Sequence, residues 1–256
     1  MRNVVECRSL CKVYKLGLWS NRHVHALRDI NWSVQSGERW VILGPNRAGK
    51  STLLRLIVSL LQPTSGYIYR FGESANKLAT LARVGYVGEN APLPAHWSVE
   101  GLVRWSGFLH GLRGTRLLQR VACTLEQFDL RPYAAARIRQ LSRGIRQRVA
   151  IALAWCHQPE LIVLDEPFDG LDASARGHLQ EMLFSSSSPT VTYILATHQH
   201  AFACAWATHV LVLDNGIQRY CGPINHCGLE CRSLAVQNVK HGDRQFFQSK
   251  VPCDVS

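Results

Sequence analysis

The chain's strongest constraint is the segment Gly44-Pro45-Asn46-Arg47-Ala48-Gly49-Lys50-Ser51, which fits the pattern G-x-x-x-x-G-K-[ST]. A continuous apolar run, Trp40-Val41-Ile42-Leu43, leads into it, and Leu53, Leu54, Leu56, Ile57 and Leu60 follow at helical spacing. A buried strand turning through a glycine loop into a helix is a phosphate cradle. Backbone N–H groups turn inward and the positive end of the helix faces the anion. Gly44 and Gly49 stand where a Cβ would interfere with those N–H groups. Lys50 supplies a point charge to the β/γ-phosphates of a nucleoside triphosphate, and Ser51 offers a hydroxyl to Mg²⁺. Asn46 within the loop and Thr52 just beyond it complete the candidate nucleotide-binding set.

A second apolar run, Leu161-Ile162-Val163-Leu164, delivers Asp165-Glu166-Pro167 to its end. In an open α/β sheet, ligands bind at the carboxyl ends of the strands. Asp165 is therefore placed to hold the Mg²⁺ shell, and Glu166 to polarise an attacking water as general base.

Around these two motifs the pattern alternates. Ile30, Trp32 and Val34 predict a half-buried antiparallel strand, and further strands are predicted over 66–71, 84–87, 161–165 and 191–196. Helices are predicted over 98–109 with a Ser cap, 115–128 with a Thr cap, 142–156, 172–184 and 200–206. Asn215-Gly216 turns a terminal hairpin of 209–213 and 217–220. The expected fold is α/β: a phosphate-loop NTPase core with a mainly parallel sheet, an N-terminal antiparallel β subdomain and an inserted helical subdomain. The expected division is one ATP-binding domain over 3–222, with the helical insert at about 90–145, and a tail of unassigned structure over 223–256.

Composition bounds the rest. The 256 residues are 46 % hydrophobic, enough for a core, yet no apolar run reaches the ~18–20 residues a membrane span needs. The first residues lack the apolar core of a signal peptide. The expected location is cytoplasmic, and any membrane association is expected to come through a partner. The net charge of +11 comes from scattered arginines, densest at 137–148, and no direct nucleic-acid partner is expected. Nine cysteines include no Cys-x-x-Cys pair, and Cys221, Cys227 and Cys231 are loosely spaced for zinc, so reduced thiols are expected.

Leu141-Ser142-Arg143-Gly144-Ile145-Arg146-Gln147-Arg148, just upstream of the Leu161–Glu166 strand, resembles the signature of ATP-binding-cassette (ABC) ATPases, usually Leu-Ser-Gly-Gly-Gln. Gly170-Leu171-Asp172 resembles the family's D-loop, and Ala196-Thr197-His198 resembles the strand end carrying its switch histidine. Tyr14 stands where family members stack an aromatic on adenine. The resemblance covers roughly residues 3–222.

It implies an ATPase subunit of a transporter, working as a head-to-tail dimer, homo- or heteromeric, with an integral membrane permease as partner. Ser142 and Gly144 would contact the γ-phosphate of ATP held by the second ATP-binding subunit. His198 would contact the γ-phosphate in its own subunit, and Asp172 would bridge the dimer. The helical lobe near Glu89–Trp105 would dock the permease, with Trp97 and Trp105 either on that surface or packing the lobe. Three departures stand out. Arg47 replaces a small loop residue, Arg143 replaces a signature glycine, and Glu89 stands where the family has a glutamine that ligates Mg²⁺, a role a carboxylate can keep. Glu89 and the Leu-Ser-basic-Gly signature resemble the exporter branch. The competing reading is an ABC ATPase acting on nucleic acid or ribosomes, but the chain has neither a coiled-coil insert nor a second cassette.

Overall fold

The computed structural model describes residues 2–15, 23–89, 92–185 and 190–227. Most of the 223–256 tail lies outside the described residues, as does most of the expected loop at 185–188.

The N-terminal strands β1 (Asn3–Lys15) and β2 (His23–Gln35) pair antiparallel, and β1 also pairs with β4 (Ser65–Arg70), which carries the short β5 (Glu73–Ser74). The parallel core comprises β3 (Arg39–Leu43), β6 (Val84–Val87), β7 (Leu161–Asp165), β8 (Thr192–Ala196) and β9 (His209–Asp214). The hairpin strand β10 (Ile217–Pro223) returns antiparallel to β9 and touches β2, joining both parts into one ten-stranded sheet of the described residues. The order is β5-β4-β1-β2-β10-β9-β3-β8-β7-β6. Asn215 and Gly216 both take positive φ, as a two-residue turn with the twist of a hairpin requires.

Side-chain alternation sends the core strands' residues to two cores. Trp40, Ile42, Leu161, Val163, Ile194 and Ala196 face helix α1 (Lys50–Ile57) and the antiparallel strands. Val41, Leu43, Ile162, Leu164 and Leu195 face the other layer, with α2 (Val99–Leu109), α3 (Gly114–Gln127), α4 (Arg143–Trp155), α5 (Ala173–Ser185) and α6 (His200–Trp206). A strand buried on both faces reads as an unbroken apolar run, and both runs that lead into the motifs are of this kind.

Helix boundaries follow their caps. Ser98 Oγ accepts from Gly101 N and Ser142 Oγ from Ile145 N, so α2 and α4 start where the caps predict. The Thr115 cap does not form: α3 begins at Gly114 after Arg113, with no side-chain cap. Helix α1 stops at Ile57 rather than running to Leu60. Ser59 turns left-handed, and the buried Arg70 guanidinium donates to Ile57 O, Ser59 Oγ, Ala75 O and Thr80 Oγ1. Four neutral acceptors and, among the described residues, no carboxylate bond that charge, and its burial lowers the Arg70 pKa.

Six described cysteines are free thiols, as expected, but Cys227 is disulfide-bonded, which corrects the expectation of uniformly reduced thiols. Sequence spacing, which found no pair, carries no information about the distance that decides bonding. No helix of the described residues is long and apolar enough to cross a membrane.

Candidate active site

Register aligns the carboxyl ends of four parallel strands. Val87 pairs with Leu164, Asp165 with Ala196, and Ala196 with Ile42. The residues just beyond these ends, Glu89, Glu166, His198 and the 44–51 loop, therefore share one edge of the sheet.

The loop closes against β2. Gly49 has φ +106, and a Cβ there would fall 2.6 Å from Ala26 O, so only glycine fits without strain. Arg47 also takes a left-handed φ of 69, in keeping with the small residue usual there. Its side chain is exposed, as is that of Asn46, and neither fills the loop. Thr52 is half-buried in the first turn of α1.

Lys50, buried at 6 % exposure, donates to Gly44 O at 2.8 Å and Pro45 O at 3.3 Å and lies 3.1 Å from Glu166 Oε1. Glu166, left-handed at φ 45, turns off the strand end and accepts from His198 Nδ1 through Oε2 at 3.2 Å. Burial opposes the Glu166 charge, but His198 and Lys50 prevail and hold its pKa below the usual carboxylate range. The same hydrogen bond raises the His198 pKa. Asp169 Oδ1 lies 3.7 Å from His198 Nδ1.

Ser51 Oγ and Asp165 Oδ1 lie 2.9 Å apart. Burial pushes the Asp165 carboxyl up to about 6, against the hydrogen bond from Ser51, with Glu166 and Glu89 adding repulsion. Asp165 Oδ2 is buried with no hydrogen-bond partner. An orphaned carboxylate oxygen beside a serine hydroxyl fits a hard divalent cation, which takes oxygen ligands. Glu89 is exposed and reaches this group through its charge alone.

Lys50, Ser51, Asp165, Glu166 and His198 thus form one connected cluster, framed by Gly44 and Gly49. Ser142 and Gly144 stand apart from it at the start of α4, and exposed Asp172 caps α5, its Oδ1 accepting from Ala175 N at 2.8 Å. Tyr14, half-buried in β1 opposite Val24, lies under the Lys12 ammonium at 5.3 Å. Two features escaped the sequence reading. Asp169 joins His198, its only local sign being its position three residues after Glu166. Arg143 packs on Gly170 and donates to Asp169 O at 3.0 Å, linking the start of α4 to the turn before α5.

Residues 27–169 match the family model of ABC transporters, which spans the loop, the signature and the acidic pair.

The chain belongs to the ABC transporter family.

The relatives agree. It is 35 % identical over 218 residues to Nod factor export ATP-binding protein I of Cupriavidus metallidurans, covering 84 % of this chain and 70 % of that one. An ABC transporter ATP-binding protein of Synechocystis sp. is 32 % identical over 77 % of this chain, which spans 56 % of that relative's length. Among solved structures, a dimeric ATP-binding cassette in a post-hydrolysis state with ADP and Pi superposes with TM-score 0.77 at 25 % identity, covering 86 % of this chain and 98 % of that one. The structure of cbiO1 from Clostridium perfringens, part of the cbiONQ ABC transporter complex, gives 0.76 at 25 % identity over 94 % of this chain and 95 % of that one. The described residues build an ABC-type ATPase fold.

Proposed function

We propose that this chain is the ATP-hydrolysing subunit of an ABC exporter whose membrane-spanning part is a separate permease. The observation that carries the reading is the convergence of Lys50, Ser51, Asp165, Glu166 and His198 at the ends of β3, β7 and β8. The ATP-binding domain would occupy 3–222, with the helical lobe inserted at about 90–145.

In this mechanism Lys50 exchanges its loop carbonyls and Glu166 for the β/γ-phosphates, which the N-terminus of α1 also faces. Ser51 and Asp165 would hold Mg²⁺, with Glu89 from the neighbouring strand end. That ion supplies Lewis-acid neutralisation of charge on the phosphates. Glu166, kept ionised, accepts the proton of the attacking water, and His198 orients its carboxylate and faces the γ-phosphate. The exposed Ser142 and half-buried Gly144 at the start of α4 would complete the site of a second subunit in a head-to-tail dimer, with Asp172 at the seam and Tyr14 against adenine.

Export is supported by Glu89, by the Leu-Ser-basic-Gly signature and by the relative named for Nod factor export. Trp97, Trp105 and Phe108 are 41 %, 46 % and 41 % exposed and touch one another on the helical lobe, a surface suited to a permease. The test is affinity purification from detergent-solubilised membranes with and without ATP. A stoichiometric multi-span protein that restores ATP turnover supports the proposal. Recovery of ribosomes or nucleic acid without a membrane protein overturns it.

A further inference from the structure

The Glu166, Asp169 and His198 side chains offer one imidazole nitrogen and two carboxylate oxygens that all lie within 4.8 Å of one another. Nδ1 of His198 stands 3.2 Å from Glu166 Oε2 and 3.7 Å from Asp169 Oδ1. Two ligands bound tetrahedrally at Zn²⁺ distances of ~2.0–2.1 Å are themselves about 3.3 Å apart. The two separations measured from His198 Nδ1 are thus close to the edge of such a site, and the third donor pair lies within 4.8 Å. They come from separate places: Glu166 and Asp169 from the turn after β7, closed by Asp169 N donating to Glu166 O at 3.1 Å, and His198 from the end of β8. Glu166 is buried at 8 % side-chain exposure, whereas His198 at 46 % and Asp169 at 35 % open the cluster to solvent. Lys50 occupies only the other oxygen of Glu166, Oε1, leaving Oε2 to the cluster.

We infer that Glu166, Asp169 and His198 form a binding site for a borderline transition-metal ion, Zn²⁺ in type, and that its occupation blocks ATP hydrolysis. The donor set separates this ion from the nucleotide's Mg²⁺. Imidazole suits Zn²⁺, while Mg²⁺ prefers oxygen donors in a near-ideal octahedron, as Ser51 and Asp165 could begin to supply. A metal here takes Glu166 Oε2 and His198 Nδ1, so the carboxylate proposed to receive the water's proton is no longer free to accept it. The inhibitory half rests on the proposed hydrolytic roles of these two residues; the binding half does not.

The test uses the full chain without nucleotide, with Mg²⁺ in excess. Zn²⁺ affinity is measured by competition with a chromophoric chelator, and the ligand type is read from Co²⁺ substitution spectra. The expected result is one site with nitrogen and oxygen ligands and no thiolate-to-metal charge transfer. Asp169→Asn should weaken Zn²⁺ by at least about tenfold, the scale on which metal sites respond to altered ligation, while Mg²⁺-dependent binding of a fluorescent ATP analogue changes less than twofold. Micromolar Zn²⁺ should stop turnover by the wild type, and Asp169→Asn should shift the inhibition by the same factor as the affinity. Zn²⁺ affinity unchanged in Asp169→Asn, or thiolate bands in the Co²⁺ form, overturns the site. A site confirmed by binding in a chain that never hydrolyses ATP would overturn the catalytic reading instead.

Discussion

Nζ of Lys50 lies 3.1 Å from Oε1 of Glu166, both side chains nearly excluded from solvent. The proposed phosphate-binding cation and the proposed water-activating carboxylate therefore engage each other. A phosphate entering the loop must compete with Glu166 for Lys50, and Glu166 repels it directly. Glu166→Gln should bind ATP several-fold more tightly than the wild type, because the competing charge is gone. Its kcat should fall by about 10²–10⁴-fold, the usual contribution of a general base. Equilibrium titration with a fluorescent nucleotide and phosphate-release assays check the two halves separately.

Asp165 titrates in an unusual range, at about 6. A metal binds only the carboxylate form. Mg²⁺-dependent ATP affinity should therefore be flat above pH 7 and drop toward tenfold per unit below about pH 6. Stability has the opposite sign. A carboxyl raised in the folded state contributes stability that is present below its unfolded pKa and lost as pH rises through about 6. Asp165→Asn should remove both slopes, which isothermal titration and chemical denaturation across pH 5–8 would show.

Gly170 adopts φ +65, and a Cβ there would sit 2.1 Å from Arg143 Cζ. Gly170→Ala should destabilise the chain by about 1–3 kcal/mol through backbone strain and displacement of the guanidinium. In Arg143→Ala the steric part disappears. A double-mutant cycle by denaturation should give a coupling of about 0.5 kcal/mol or more; purely additive effects would mean that the contact does not form in solution.

His157 packs face to face on His110 at 3.7 Å between ring centroids. Burial, with the His110 charge second, lowers its pKa to about 4. A histidine kept neutral when folded contributes stability that is full above about 6.5 and lost as pH falls toward 4, because only the unfolded chain takes the proton. His157→Phe, which keeps a ring for the stack, should be less acid-sensitive than the wild type between pH 7 and 5 in denaturant titrations.

Local chemistry made much of this protein legible. The apolar runs into Gly44 and Asp165, the Ser98 and Ser142 caps and the Asn215-Gly216 turn depend on neighbours within a few positions, and the structure reproduces them. Misreadings arose where distant residues intervene. Helix α1 ends early because Arg70, thirteen positions away, takes the carbonyl of Ile57. Thr115 lost its cap to a start one residue earlier at Gly114, whose positive φ follows an extended Arg113. The approach of Asp169 to His198, and of Arg143 to Gly170, exists only once two strand ends and a helix start are assembled. Lys50, Asp165 and Glu166 were recognisable as types, but their mutual geometry, the orphaned Asp165 oxygen and the shifted protonation of that carboxyl belong to tertiary packing.

Across the sheet the strands run β3-β8-β7-β6, so the phosphate loop, His198, Glu166 and Glu89 stand side by side in an order the chain does not follow. Each belongs to a different strand, joined to its neighbours by a backbone ladder and by the cores on either face. A slip of one residue between β7 and β8, about 3.3 Å, would part Glu166 from His198 while leaving the loop whole. Competence to cleave would then report on strand alignment, and a pull on β6 at the rim, where the helical lobe attaches, could disarm the chemistry without dislodging the nucleotide.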